Sequence, residues 1–244
     1  MEVNILNLFA TPVVVFNYKQ SLKNELKILE KILGEGTNRE LVQNEVWDEK
    51  TKTYKTEYKR YKEIQNPEHA TRTSRCSNNT FVLENEELSS IKTFITEALN
   101  EYMKNVFGAS NELRITQSWL NVFSRGDYHK PHGHPNSIVS GVFYPYMEKG
   151  MAGISLYVKE SALQQGMNFA FNDVRATEYN STNYTYIPKS GDLILFPSTL
   201  HHGVSENNSP RARLTLAFNS WMQGILGSME ELSYAPPQGN ITWN

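Results

Sequence analysis

Five of the six histidines in this chain fall into two tight groups. The first reads Gly126-Asp127-Tyr128-His129-Lys130-Pro131-His132-Gly133-His134-Pro135-Asn136-Ser137. The second runs from Gly191-Asp192-Leu193 to Phe196-Pro197-Ser198-Thr199-Leu200-His201-His202-Gly203-Val204. In extended backbone, residues i and i+2 share a face, so His132 and His134 can aim both imidazoles at one point. Neutral imidazole ligates Fe(II), Zn(II), Ni(II) or Cu(II). A third ligand from a distant strand, His202 or His201, would close a facial site and leave positions open for substrate and dioxygen. A lone His-x-His pair is commonly an accident of a polar loop. Two such groups, each introduced by a Gly-Asp turn, favour metal chemistry. Cys76 is the single cysteine, which excludes an internal disulfide and any CxxC motif, so metal binding must rest on histidine.

Arg213 adds a second function. It opens a run in which Arg213, Thr215, Ala217 and Asn219 face one way and Leu214, Leu216 and Phe218 the other. A guanidinium fork beside a hydroxyl binds a carboxylate through charge-assisted hydrogen bonds. Alone, Arg213 could equally be a strand-end arginine paired with an acid. Its place just after the candidate metal histidines favours binding of an anionic cosubstrate.

Positioning these groups requires strands. Short β-rich runs separated by turn signals begin after Arg114: Trp119 to Phe123, Ile138 to Tyr144, Ile154 to Val158, Tyr184 to Ile187, Asp192 to Phe196 and Arg213 to Phe218. Such spacing predicts a sandwich or barrel. The preceding part reads as a helical layer. Leu22, Leu26, Leu29 and Leu33 recur at helical spacing, with Gly34 as a C-cap. Leu88, Ile91, Ile95, Leu99, Tyr102 and Val106 share a second helical face, which Gly108 ends. Asn44 to His69, rich in Lys, Glu and Tyr, fits a solvated helix, a hairpin or a flap. Lys159 to Asn183 reads as a loop over the site. Both segments are candidates for substrate contact.

The chain has 244 residues, with 24 Lys plus Arg against 26 Asp plus Glu and a formal net charge of -2. This balance provides no whole-chain electrostatic footprint for nucleic acid or anionic membrane. The basic and aromatic Lys52 to Lys62 stretch reads as a solvated face, so a nucleic-acid partner is not expected. No signal segment or apolar run long enough to span a bilayer is visible, and the sequons at Asn180 and Asn183 read as chance matches. The expected location is cytoplasmic.

The motifs together resemble the Fe(II)/2-oxoglutarate-dependent oxygenases, and most of all a subgroup found in bacteria and tailed phages. The resemblance rests on Leu8-Phe9-Ala10-Thr11-Pro12, Trp119-Leu120-Asn121, and His132-Gly133-His134-Pro135-Asn136-Ser137 followed by Ser140-Gly141-Val142-Phe143-Tyr144. It continues in Gly191-Asp192-Leu193, Phe196 to Val204, and Arg213-Leu214-Thr215-Leu216-Ala217-Phe218-Asn219. It is close from Trp119 to Asn219, except across Lys159 to Asn183, and thin before Ile115. It implies a mainly β fold with N-terminal helices, a double-stranded β-helix (jelly roll, cupin-like). The implied organisation is one oxygenase domain: a helical layer over 1–113, the β-helix core over 114–222 and a C-terminal extension over 223–244. The compartment implied is a bacterial or phage-infected cell.

The resemblance also implies Fe(II) held by His132 and His202, with His201 on the opposite face. It implies 2-oxoglutarate held at its distal carboxylate by Arg213 and Thr215, with Tyr144 and Asn121 as further contacts, and O2 as the oxidant. The expected reaction is hydroxylation of an unactivated C–H with release of succinate and CO2. One departure matters. The family triad is His-x-Asp/Glu…His, and here His134 stands at the acid position. It can be a third ligand, the favoured reading, or it can sit behind a ligating water, or Asp127 can enter instead. Two other functions compete: a cupin-type three-histidine dioxygenase or isomerase that ignores 2-oxoglutarate, and a non-enzymatic binding module. The substrate, small molecule or peptide, is not legible, and a homodimer is allowed.

Overall fold

The computed structural model describes residues 10–35, 41–60, 72–158, 175, 177 and 179–233. Leu8 and Phe9 and most of Lys159 to Asn183 therefore lie outside the described residues. Twelve strands and two α-helices form the described fold. The strands are β1 (Val14–Asn17), β2 (Leu41–Asp48), β3 (Thr53–Arg60), β4 (Arg75–Cys76), β5 (Glu112–Phe123) and β6 (His129–His132). They continue with β7 (Val139–Phe143), β8 (Ile154–Tyr157), β9 (Asn183–Tyr186), β10 (Asp192–Pro197), β11 (His201–Val204) and β12 (Arg213–Gln223).

Two antiparallel sheets face each other as a double-stranded β-helix. The larger has the order β1-β10-β7-β12-β5-β4, and the smaller β6-β11-β8-β9. The alternation from Arg213 to Asn219 divides β12 between two environments. Leu214, Leu216 and Phe218 join the main apolar core. Arg213, Thr215, Ala217 and Asn219 line the cavity between the sheets.

The helical layer covers the outer face of the larger sheet. In α1 (Lys23–Gly34), Leu29 and Ile32 are the buried residues. Gly34 is the last helical residue rather than the cap; Glu35 follows in helical geometry. In α2 (Ser89–Tyr102), Ile91, Ile95, Leu99 and Tyr102 are fully buried, as their spacing requires. The chain then makes a π turn over Met103–Phe107 before Gly108 turns left-handed at φ +68. A π turn adds one residue per turn and rotates the apolar stripe. This carries Val106 out of the core to 39% exposure, a correction to its place in the helical face.

The N-terminal part is also less purely helical than its periodicity predicts. β1 pairs with β10 and β4 with β5, so this part supplies both edge strands of the larger sheet. Of the three readings of Asn44 to His69, the hairpin is the one formed, by β2 and β3, while residues 61–71 lie outside the described set. Its turn begins at Asp48, whose Oδ1 accepts from the backbone of Lys50 and Thr51. Among the described residues, no helix is long and apolar enough to cross a membrane.

Candidate metal and cosubstrate site

β6 and β11 bring the two histidine groups together. They pair antiparallel with His202 directly opposite His132. Gly203 permits this closeness, because a Cβ there would lie 2.8 Å from the carbonyl oxygen of His129. His134 follows in a turn tied back by its own N–H to Ser198 O at 2.9 Å. Asn136, left-handed at φ 54, completes that turn and leads the chain into β7.

The ring nitrogens of His132, His134 and His202 lie within 4.8 Å of one another. His202 is buried, whereas its neighbour His201 is exposed on the other face of β11. Asp127 does not approach the cluster: its Oδ2 accepts from Ser124 N within its own turn. That removes the remote acid from the candidate ligands.

Each ring is held at Nδ1. His132 Nδ1 lies 3.0 Å from Lys130 O, and His202 Nδ1 lies 3.1 Å from Leu200 O. A carbonyl only accepts, so both Nδ1 atoms carry the proton and both Nε2 lone pairs point inward. His134 Nδ1 lies 2.5 Å from Asn219 Oδ1 and 3.1 Å from Ser140 Oγ. Asn219 Oδ1 is also an acceptor, and this gives His134 the same tautomer. Its Nε2 then faces His132 Nε2 at 3.3 Å. Two lone pairs so close repel unless a cation lies between them. Two ligands at right angles on bonds of about 2.1 Å would be about 3 Å apart, close to this spacing. Burial keeps the rings neutral, as ligation requires. It lowers His132 to about 4 and His202 to about 3, and it lowers His134 against the opposing Asn219 hydrogen bond.

The cavity between the sheets measures about 1220 Å³ and holds this cluster, with Arg213, Thr215, Tyr144 and Asn121 also in its wall. β12 and β5 pair Thr215 with Asn121. Arg213 is 1% exposed, and its guanidinium lies over the rings of Phe123 at 4.8 Å and Tyr144 at 5.3 Å. Its Nε and Nη1 have no hydrogen-bond partner, and neither does the Tyr144 hydroxyl. Burial pushes Arg213 below its usual value and Tyr144 above its own, each opposed by the attraction between the hydroxyl and the guanidinium, which fall short of a well-formed hydrogen bond. A buried, unpaired guanidinium costs several kcal/mol. The nearest buried acid in the strand order, Asp192, is already bonded to Asn17, Tyr186 and Lys189. Among the described residues no acid pairs with Arg213, which leaves the position suited to an anion from outside. A dicarboxylate with one end on a metal held by the histidines and the other on Arg213 would satisfy both groups.

Several residues in this site had no role assigned from the sequence. Asn219 and Ser140 hold His134, and Ser140 leads on to Ser198 at 2.8 Å and thence to Ser137 at 2.7 Å. The strand alternation puts Asn219 on the cavity face but does not reveal its partner. His129 stacks on His132 with ring centroids 3.8 Å apart, and Trp119 lies 5.8 Å from His134.

Residues 117–219 match the family model described as "Putative 2OG-Fe(II) oxygenase". No curated protein matches the chain. Among solved structures, the non-heme alpha ketoglutarate dependent epimerase SnoN from nogalamycin biosynthesis aligns at 12% identity, with a TM-score of 0.55 over 95% of this chain and 81% of that one. The carbocyclase SnoK of the same biosynthesis aligns at 14% identity and TM-score 0.53, over 94% and 90% of the two chains. HygX from Streptomyces hygroscopicus, solved with nickel, 2-oxoglutarate and hygromycin B, aligns at 14% identity and TM-score 0.50, over 86% and 82%.

Proposed function

We propose that this chain is an Fe(II)- and 2-oxoglutarate-dependent oxygenase that hydroxylates an unactivated C–H bond on a three-histidine iron site, a reading supported by the match of residues 117–219 to that family model. The observation that carries the site is the inward convergence of three Nε2 atoms whose Nδ1 positions are all occupied. His132, His134 and His202 would hold Fe(II). Arg213 would take the distal carboxylate of 2-oxoglutarate, with Thr215, Tyr144 and Asn121 beside it.

When bound, Fe(II) would activate O2, the oxidant, and 2-oxoglutarate would supply two electrons as it is oxidised to succinate and CO2. The chain's own part is geometric and electrostatic. Lys130 O, Leu200 O and Asn219 Oδ1 fix three imidazole planes and their tautomers. Three neutral ligands leave the metal with its full charge, where a carboxylate would remove part of it. Arg213 would select an anion by charge, since its buried fork lines the same cavity as the histidines. Phe123, Val142 and Ile154 supply apolar wall to the cavity, which would limit water around a bound substrate.

The unpaired Arg213 weighs against the non-enzymatic reading, which offers it no anion, whereas in the cupin-type reading it would bind a substrate carboxylate and only succinate release separates the two. The test is succinate formation by Fe(II)-loaded protein in air. It should require 2-oxoglutarate and be lost in His202→Ala. Turnover of a metal-dependent substrate without succinate would overturn the reading.

A further inference from the structure

The cavity contains a second cation that this reading leaves unused. Arg72 forms an isolated antiparallel bridge with His129, whose ring stacks on His132. From there its side chain crosses toward the larger sheet. Nη1 donates to Cys76 Sγ at 2.9 Å, and Cys76 Sγ donates to Asn121 Oδ1 at 3.1 Å. The guanidinium therefore lies between the histidine-bearing edge of one sheet and the Asn121–Thr215 pair of the other. Its Nε is shut off from solvent and has no hydrogen-bond partner.

Among the described residues of the cavity wall, no unpaired acid is available to neutralise Arg72. Among the described residues lining the cavity, Arg72, Arg114 and Arg213 stand against a single acid, Glu84, and Lys92 bonds that acid at 2.7 Å. A dianionic cosubstrate would offset a divalent metal and leave the cavity still cationic. A guanidinium with a free, buried N–H in a concave site is suited to a planar oxyanion.

We propose that Arg72 forms a second anion subsite beside the metal, taking a carboxylate distinct from the one at Arg213. This rests on the oxygenase reading of the same cavity. The carboxylate has two sources of the same chemistry: an acidic group on the substrate, or the keto-acid end of 2-oxoglutarate. Cys76 and Asn121 act as positioning residues, holding one side of the guanidinium in the cavity wall.

Calorimetric titrations of Zn(II)-loaded protein, which does not turn over, test this and separate the sources. The proteins are wild type, Arg72→Gln and Arg72→Lys. The probes are 2-oxoglutarate, and then acetate with 2-oxoglutarate saturating. If the anion belongs to substrate, wild type binds acetate as well, and Arg72→Gln weakens acetate by about tenfold or more without changing 2-oxoglutarate. If it belongs to the cosubstrate, Arg72→Gln weakens 2-oxoglutarate by a similar factor. Arg72→Lys, which keeps the charge but not the fork, should fall between wild type and Arg72→Gln. Near-UV circular dichroism establishes that each variant is folded. If Arg72→Gln leaves the affinities for both probes unchanged, the proposal is overturned. Arg213→Met serves as the separate control: unchanged 2-oxoglutarate binding there would sink the cosubstrate assignment without bearing on Arg72.

Discussion

The two faces of β12 sit on one backbone and obey different rules. On the outer face, Leu214, Leu216 and Phe218 meet the helical layer in a close-packed apolar core. On the inner face, Arg213, Thr215, Ala217 and Asn219 meet a cavity, and two buried guanidinium nitrogens of Arg213, Nε and Nη1, have no hydrogen-bond partner among the described residues. The outer face is complete without a ligand; the inner face is not. The comparison shows where stability is stored and where it is given up. Burial on one side holds rigid a strand whose other side presents an unsatisfied cation, and this is how a site is held ready for charge before its ligand arrives.

Mutations that interchange the two faces should break this contrast, and the largest effect is expected at the metal. His202→Ala removes the buried member of the triad, and Fe(II) retention and succinate formation should both fall to background. His201→Ala, on the exposed side of the same strand, should lower activity far less. Equal iron loss in the two variants, measured by metal analysis after gel filtration, would reverse their roles.

Next come the two faces themselves. Phe218→Ala should cost about 3–5 kcal/mol of stability by leaving a core cavity. The protein that remains folded should bind 2-oxoglutarate with unchanged affinity. Arg213→Met should do the opposite. It should hold or raise the melting temperature of the ligand-free protein, because it removes a buried unpaired charge. Its affinity for 2-oxoglutarate should drop by about 2–5 kcal/mol. Denaturation and titration of both variants check the pair; a matched loss of stability in Arg213→Met would mean that the guanidinium has a partner within the fold.

A smaller effect should come from the residues that aim His134. Asn219→Ala should weaken metal binding by about 10–100-fold with little change in stability, as expected for groups that orient a ligand. The Co(II) absorption spectrum should change with it, since the geometry at one imidazole is released. An unchanged spectrum and affinity would remove His134 from the ligand set. The least effect concerns Cys76, whose thiol burial pushes up despite the opposing Arg72. It should resist alkylation at pH 8 until the protein unfolds.

The sequence revealed the inner face better than the scaffold around it. Period-two alternation separated the faces of β12, and the His132–His134 spacing put two imidazoles on one side, whereas the third, His202 rather than His201, came only from the family resemblance. Both signals depend on one strand or one turn. The edge strands β1 and β4 carried no such signal: one is four residues long, the other two, and only their partners β10 and β5 make them strands. The π turn after α2 was hidden because the apolar spacing through Val106 continues as if the helix did. Arg72 lies 60 residues from His132 in the chain. A bridge to His129 and a thiol contact bring it to the cavity, and neither leaves a local pattern. The tautomer of His134 depends on Asn219, a pairing that only the closed barrel creates.

The central claim is that one cavity holds Fe(II) on three histidines and 2-oxoglutarate between that metal and Arg213. Anaerobic titration of 2-oxoglutarate into the metal-free and Fe(II)-loaded protein tests it most directly. The account predicts one Fe(II) and one 2-oxoglutarate per chain, with tight binding only when the metal is present and its loss in Arg213→Met. Binding of 2-oxoglutarate that is equally tight without metal, or equally tight in Arg213→Met, would contradict it.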